Sequence, residues 1–266
     1  ILSFMPQNII DQYRIRAKKS LGQNFLIDEG KLATIAQAIQ VRNQNIIEVG
    51  PGYGALTEKL LSQSPKTLNL VELDDDMVHI LQDRFCNTEF TLHHQDILKY
   101  NPDVSPYSVI ANIPYYITSP ILRHFLYDID IQPESMVILM QKDVADKILG
   151  GKKDKTSVLR LFIEKKCSIH HVTHIPNTCF SPAPKVDSSV LLFQSHDHYM
   201  SVDDVQFLDF IQCGFAQPRK MLVKNLLQGG YQKDHIIHTL SMMGIGEQVR
   251  PEDLSISQWI ELSNKI

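Results

Sequence analysis

Seven short apolar segments alternate with amphipathic helical segments along the first 195 residues, and this alternation limits the possible folds. The predicted strands are residues 46–49, 68–71, 90–92, 107–111, 136–140, 168–174 and 188–193. Strands joined through helices form parallel sheets, because a parallel neighbour can only be reached by a crossover connection. The sequence therefore predicts an α/β fold with a mostly parallel sheet and helices on both faces.

A change of pattern near residue 195 indicates a second, smaller domain. Beyond a polar segment, only helical periodicity is found, over residues 205–215, 221–227, 236–243 and 256–262. A chain of 266 residues is long enough for one large and one small domain. We therefore predict a first domain over 1–195, which begins with a basic, mobile arm over 1–20, and a helical domain over 196–266.

Composition excludes several classes of protein. No apolar run approaches the roughly 18 residues needed to span a membrane, and no leader pattern is found, so we expect a soluble, cytoplasmic protein. The four cysteines lack C-x-x-C spacing, which argues against a disulfide framework or a zinc knuckle. Cys167 lies near His170, His171 and His174, but adjacent histidines on a strand point to opposite faces. We predict no metal site.

A glycine-rich turn follows the first predicted strand. Residues 50–55 satisfy both the dinucleotide pattern G-x-G-x-x-[GA] and the tighter pattern G-x-G-x-G. Both patterns, here supplied by Gly50 and Gly52, let the backbone approach a nucleotide at a helix N-terminus. Glu72 ends the next strand and suits ribose hydroxyls in either case. These residues alone leave a nicotinamide dinucleotide and S-adenosylmethionine both open.

Three further polar residues favour S-adenosylmethionine. Asp96 follows the third strand, where it can bind an adenine amine, and Asn112 follows the fourth, beside the reactive centre. Glu48, just before the glycines, can orient the loop or meet a cationic amino-acid group. S-adenosylmethionine needs polar partners at its nucleoside and amino-acid ends. A nicotinamide oxidoreductase, which is the alternative, would need a catalytic His, Lys or Tyr pair near the fourth strand, and none is evident.

Residues 112–115 (Asn-Ile-Pro-Tyr) are suited to holding the amino group of a planar base. The Asn112 side-chain oxygen can accept a hydrogen bond from an exocyclic amine. Pro114 holds the preceding residue extended, which turns backbone carbonyls outward. The ring of Tyr115 can stack on a base, a contact worth about 1–3 kcal/mol. The same residue types also suit a plain strand-to-loop turn, so this segment alone does not decide the function.

Taken in order, these motifs resemble those of the ribosomal RNA adenine dimethyltransferases, which include the KsgA type and the Erm type. The similar segments extend from residue 18 to the C-terminus and are 19–26, 48–52, 71–74, 95–96, 140–142, 180–188 and 215–221. One position departs from the KsgA type, which usually has leucine where this chain has Ile113. Isoleucine at this position also occurs in Erm enzymes. This replacement preserves volume and apolarity. The segments 180–188 and 215–221 favour the KsgA type.

The resemblance implies a Rossmann-like methyltransferase with S-adenosylmethionine as its cofactor. It implies that two adjacent adenosines near the 3′ end of small-subunit rRNA are converted to N6,N6-dimethyladenosine. The target base is expected between Tyr115 and Phe180, with its amine held by the Asn112 side chain and the Pro114 carbonyl. The expected cofactor contacts are Gln23, Asn24, Leu26, Glu48, Gly50, Gly52, Glu72, Leu73, Asp96, Ile97 and Asn112.

Clusters of basic residues predict the RNA contacts, although the net charge is −4. We expect these contacts from the region 142–166 and from Arg14, Arg16, Lys18, Lys19, Lys185, Arg219, Lys220 and Lys224. The implied partner is small-subunit rRNA within an immature 30S subunit, bound by a monomer without a membrane. Two alternatives stay open: an Erm-type enzyme acting on large-subunit rRNA, and a ribosome-assembly factor in which methylation is secondary.

Overall fold

A computed structural model describes residues 6–150 and 155–266, which contain the predicted sheet. The strands are β1 (Phe25–Leu26), β2 (Asn45–Val49), β3 (Thr67–Glu72), β4 (Thr91–His94), β5 (Ser108–Asn112), β6 (Ser135–Gln141), β7 (Cys167–Ile175), β8 (Phe180–Ser181) and β9 (Ser188–Ser195). Seven of them form one sheet in the order β4-β3-β2-β5-β6-β9-β7. Each predicted strand is found, with bounds shifted by at most two residues.

The sheet is parallel from β4 to β6, as predicted. β2 lies in the centre and pairs in parallel with both β3 and β5, while β9 runs antiparallel to β6. The parallel strands end at one edge of the sheet, which brings Val49, Glu72 and Asn112 to that edge. A separate pair, β1 with β8, was not predicted, because two-residue strands leave no periodic signal.

Helices cover the sheet and form the second part of the chain. They are α1 (Pro6–Gln12), α2 (Glu29–Ala36), α3 (Ala55–Leu61), α4 (Asp75–Arg84), α5 (Thr118–Arg123), α6 (Lys142–Ile148), α7 (Val158–Glu164), α8 (Asp204–Gly214), α9 (Leu222–Gln228), α10 (Lys233–Met242) and α11 (Ile256–Lys265). Asp28 caps α2 by accepting a hydrogen bond from the Lys31 N–H at 2.8 Å. Leu56 and Leu60 of α3 are buried in one cluster with strand residues. None of the helices in the described ranges has the length and apolar character that crossing a bilayer requires.

The N-terminal arm departs from the predicted mobile segment. Within residues 1–20, α1 is a helix in which Ile9 and Ile10 are buried against Phe25, Tyr53 and other apolar residues. The helix is only seven residues long, and its two adjacent isoleucines show no helical period, so the sequence did not predict it. Residues 1–5 of the arm lie outside the described residues.

The contacts divide the chain into two units whose boundaries differ from the predicted ones. One unit comprises residues 1–145 and 169–195, and the other comprises 146–168 and 196–266. The sequence analysis assigned 146–168 to the first domain. In the structure, Leu161 of α7 is fully buried in the same cluster as Phe207 and Ile211 of α8, which explains the difference.

The helical unit is built around the single tryptophan. Trp259 is fully buried, stacks on Phe215 at 5.5 Å between ring centroids and donates its indole N–H to the Pro251 carbonyl at 3.3 Å. Gly214, the last residue of α8, packs directly beneath this ring. A Cβ added to Gly214 would lie 2.3 Å from the tryptophan Cη2 atom.

Substituting Gly214→Ala should therefore destabilise the helical unit. We expect a loss of about 2 kcal/mol in the free energy of unfolding, because the ring must shift within a packed core. This loss exceeds the gain of up to about 1 kcal/mol that alanine brings to a helix. Urea unfolding followed by Trp259 fluorescence measures the change. Gly246→Ala is the control, since a Cβ there meets no atom within 4 Å; equal stability of the two variants would contradict the packing described.

Candidate active site

A cleft opens at the carboxyl ends of β2, β3 and β5. Its wall contains every residue that the sequence analysis predicted to contact the cofactor or the target base. Residues from β1, β8 and the segment before β1 also line it. The topology thus brings together side chains that are distant in the sequence, such as Gln23 and Phe180, which are 157 positions apart.

The glycine loop between β2 and α3 forms the floor of the cleft. Gly50 and Gly52 have φ angles of 66° and 58°, in the left-handed region that side chains disfavour. A Cβ at Gly50 would lie 3.3 Å from the backbone oxygen of Asn112. The loop therefore needs glycine both for its conformation and for its close approach to the end of β5.

Glu72 is held by three backbone donors. Its Oε1 accepts from the N–H groups of Leu73 at 2.8 Å and Asp74 at 2.9 Å, and its Oε2 accepts from Gly52 at 3.0 Å. Burial raises the pKa of this carboxyl group, and the three N–H groups oppose that rise. A carboxylate has about four acceptor positions, so Oε2 keeps one for a ligand hydroxyl.

Glu48 lies beneath the loop and is completely buried. The Thr57 hydroxyl donates to its Oε2 at 2.7 Å. The pKa of Glu48 is raised to about 8: burial is the main cause, the Thr57 hydrogen bond opposes the rise, and the charge of Glu72 adds to it. Near neutral pH the ligand-free side chain therefore carries a proton. A cation placed beside it would favour the charged form.

The residues around the end of β5 differ in what they already bind. Within the described ranges, the Asn112 carboxamide makes no hydrogen bond to protein. The Pro114 carbonyl accepts from the Ile117 N–H at 3.2 Å and keeps a second lone pair. The Tyr115 hydroxyl bonds the Ser188 hydroxyl at 2.8 Å. Asn112 is thus the side chain here that is left available for a ligand.

The remaining residues predicted to contact the cofactor or the target base also line the cleft, and most of them are held by packing or by hydrogen bonds. Phe180 is buried, in the strand pair that also holds Leu26. The side chain of Asn24 donates to the Gly22 carbonyl at 3.1 Å. Asp96 accepts from the Leu98 N–H at 3.0 Å through Oδ1. Leu73 and Ile97 also line the cleft, and Leu73 is 52% exposed, unusual for a leucine beside a cleft.

Lys18, one of the predicted RNA contacts, forms ion pairs with two carboxylates. Its ammonium group contacts Asp74 at 2.5 Å and Asp76 at 2.7 Å, and these hydrogen bonds raise its pKa. Gln23 completes the cluster, since its amide donates to Asp74 at 2.7 Å and its oxygen accepts from the Lys18 N–H at 2.8 Å. These ion pairs tie the segment before β1 to the end of β3, and the RNA contact of Lys18 stays a prediction.

The other predicted cations fall into two groups. Seven of these cations are exposed and form no ion pair within the described ranges. They are Arg14, Arg16, Lys19, Lys185, Arg219, Lys220 and Lys224. In the region 142–166, Lys155, Arg160, Lys165 and Lys166 instead pair with carboxylates. Residues 151–154 lie outside the described part of the chain. RNA contacts from this region stay a prediction.

Asn225 supports the turn that carries Arg219 and Lys220. The side chain is completely buried, and its amide donates to the carbonyls of Gly214 at 2.5 Å and Gln217 at 3.1 Å. These bonds fix the connection between α8 and α9. The turn therefore holds its two exposed cations on an ordered backbone.

Sequence reasoning missed three residues of this site. Tyr53 is buried within the glycine loop, with its hydroxyl donating to the Leu26 carbonyl at 3.2 Å. Asp74 receives Lys18 and Gln23. Tyr116 lines the cleft and is 65% exposed. The only available signal was their position, since each lies within four residues of a predicted site residue.

The raised pKa of Glu48 predicts how stability depends on pH. The pKa is 4.5 in the unfolded chain and about 8 in the folded one, so the folded state binds this proton more tightly. That stabilisation is complete below the unfolded pKa and is lost as pH rises through the folded pKa. The wild type should therefore lose more unfolding free energy than Glu48→Gln between pH ~5 and pH ~8.5. Chemical denaturation at the two pH values measures this.

A matched control is Glu89→Gln, at an exposed glutamate between α4 and β4. The unfolding free energy of this variant should depend on pH in the same way as that of the wild type. Parallel pH profiles for the wild type and Glu48→Gln would contradict the burial of an ionisable group at this position.

Comparisons with known proteins identify the family of this chain. The family model described as "Ribosomal RNA adenine dimethylase" matches residues 14–266. Three similar curated proteins are each named "Ribosomal RNA small subunit methyltransferase A". The one from Dehalococcoides mccartyi (strain CBDB1) is 37% identical over 98% of this chain and 92% of its own length. Those from Mycoplasma mobile and Prochlorococcus marinus (strain MIT 9215) are 36% and 37% identical, over 90% and 92% of this chain and 94% of each relative.

Solved structures share the fold. The 23S rRNA methyltransferase ErmE superposes with a TM-score of 0.77 at 23% identity, covering 91% of this chain and 99% of its own. A dimethyladenosine transferase from Plasmodium falciparum gives a TM-score of 0.78 at 20% identity, covering 90% and 95%. The family model and the curated relatives show that the chain belongs to the ribosomal RNA adenine dimethylases. It is an S-adenosylmethionine-dependent methyltransferase.

Proposed function

We propose that the protein dimethylates two adjacent adenosines near the 3′ end of small-subunit rRNA, within an immature 30S subunit in the cytoplasm, and that it acts as a monomer. The choice of the small subunit is supported by relatives of 36–37% identity that carry that substrate in their names. The choice of an adenosine amine is supported by the free carboxamide of Asn112 at the end of β5, the observation that carries the proposal.

The cleft fits S-adenosylmethionine. Glu72 has one acceptor position left for a ribose hydroxyl, and the exposed Leu73 gives an apolar surface for the adenine. Asp96 has a second carboxylate oxygen for the adenine amine, and Glu48 lies where a cationic group would stabilise its charged form. When bound, this cofactor supplies a methyl group on a positively charged sulfur, an electrophile that requires no strong base in the site.

The protein's contribution to the reaction is positioning. The Asn112 side-chain oxygen and the free lone pair of the Pro114 carbonyl accept hydrogen bonds from the amine of a flipped-out adenosine. Two such bonds draw the nitrogen out of conjugation with the ring and fix the direction of its lone pair. Tyr115, whose hydroxyl is held by Ser188, limits one side of the pocket, and Phe180 limits another. Holding reactants in this way can supply much of a rate enhancement.

Asn112→Ala should abolish most methyl transfer. We expect the rate constant at saturation to fall at least about 100-fold, because the amine loses an acceptor that the transition state requires. Affinity for S-adenosylhomocysteine should fall by less than about tenfold, since the loop and Glu72 are untouched. Single-turnover methylation of rRNA and calorimetric titration measure the two quantities.

Asn101→Ala is the control, because this exposed asparagine lies just before the same strand. It should leave both quantities unchanged. Methyl transfer by Asn112→Ala at a rate close to that of the wild type would refute the proposed role of the carboxamide.

RNA binding is proposed to depend on the unpaired cations. Removing one cation that binds a phosphate lowers the slope of log K against log salt concentration by about 0.7 to 0.9. Arg219→Gln combined with Lys220→Gln should thus reduce the slope by about 1.5, because both side chains are exposed and unpaired. Filter binding to rRNA at several salt concentrations measures the slope.

Lys265→Gln is the matched charge control, since this lysine pairs with Glu261 at 2.7 Å. Its slope should equal that of the wild type. A double variant with an unchanged slope would show that the turn between α8 and α9 does not contact phosphates.

A further inference from the structure

We propose that Tyr116 is a stacking platform for the nucleobase next to the target adenosine. The inference rests on the proposed function and adds a second base-binding position to the site. Tyr116 follows Tyr115 in the short 3-10 turn Tyr115–Ile117, directly after the Pro114 carbonyl. The two neighbouring rings are placed very differently, and that difference carries the inference.

Tyr115 is integrated into the protein, whereas Tyr116 is not. The Tyr115 ring packs against the core cluster, and its hydroxyl bonds Ser188. The Tyr116 side chain is 65% exposed, and among the described residues its hydroxyl makes no hydrogen bond. Of the large exposed hydrophobic residues in the described ranges, it is the one aromatic ring. Core packing does not account for an aromatic ring so exposed.

The ring is nevertheless supported from one side. A Cβ on Gly22 would lie 3.3 Å from the Tyr116 Cε1 atom and 3.6 Å from Cδ1, so the ring rests close to this backbone. Gly22 has a φ of 63° and ends the turn Lys19–Leu21. One part of the ring is therefore held, while the rest is open to solvent. This arrangement orients the ring before any ligand arrives.

The position of the ring identifies its occupant. Tyr116 and Leu21 line the same cleft as Asn112, so a strand that delivers its adenosine to Asn112 must pass nearby. Extracting one base from a stack leaves its neighbour without a stacking partner. An aromatic ring can replace that partner for any base. Lys19, exposed and unpaired at the start of the supporting turn, provides a positive charge for the adjoining phosphate.

The test uses immature 30S subunits whose rRNA carries 2-aminopurine at the nucleotide flanking the target adenosine. The variants are Tyr116→Leu, which removes the ring, and Tyr116→Phe, which keeps it. The wild type and Tyr116→Phe should keep the probe quenched on binding, whereas Tyr116→Leu should leave it bright. KM for the RNA should rise about tenfold in Tyr116→Leu, the loss expected for one stacked base, with kcat changed less than about twofold.

Affinity for S-adenosylhomocysteine should be equal in the three proteins, which separates weaker RNA binding from a disturbed cleft. A probe several nucleotides away should not respond to either substitution. Equal quenching and equal KM for Tyr116→Leu and the wild type, with normal dimethylation, would overturn this inference and leave the proposed function intact. A wild type that neither binds nor methylates these subunits would overturn both.

Discussion

The carboxyl group of Glu72, held by the backbone N–H groups of Gly52, Leu73 and Asp74, is the interaction on which the cleft depends. A buried carboxyl group is costly unless its oxygens are hydrogen-bonded, and buried N–H groups equally need acceptors. One side chain satisfies both needs and joins the glycine loop to the end of β3. The loop is thereby held close to the end of β5, where we propose that methyl transfer takes place. Removing Glu72 would therefore disturb the shape of the cleft as well as one ligand contact.

Several polar side chains around the cleft are bonded to protein and build its shape, whereas Asn112 is not bonded within the described ranges. Gln23 bonds Asp74, Glu48 bonds Thr57, and Tyr115 bonds Ser188. These bonds fix side chains that would otherwise adopt several rotamers. Asn112 has no such partner among the described residues, although the paired strand β5 fixes its backbone. A carboxamide without a protein partner, held on a rigid strand, is suited to binding an amine.

The sequence predicted the sheet and the cleft well because both follow from local patterns. Apolar segments identify buried strands, and residues at the carboxyl ends of parallel strands must meet, so Glu72 and Asn112 could be placed together. Interactions between distant segments leave no such pattern. Lys18 and Asp74 are 56 positions apart, and nothing near Lys18 indicates that it pairs with a carboxylate. Likewise, the sequence could not show which of the adjacent residues Tyr115 and Tyr116 packs against the core, because the geometry of the turn decides this.

The most direct test of this mechanism is a crystal structure of the protein with S-adenosylhomocysteine and adenosine bound together. We predict that the Asn112 Oδ1 atom and the Pro114 carbonyl oxygen each lie within about 3.2 Å of the exocyclic nitrogen of the adenosine. An adenosine whose amine is bound by other groups, with the Asn112 carboxamide bonded to protein instead, would contradict it.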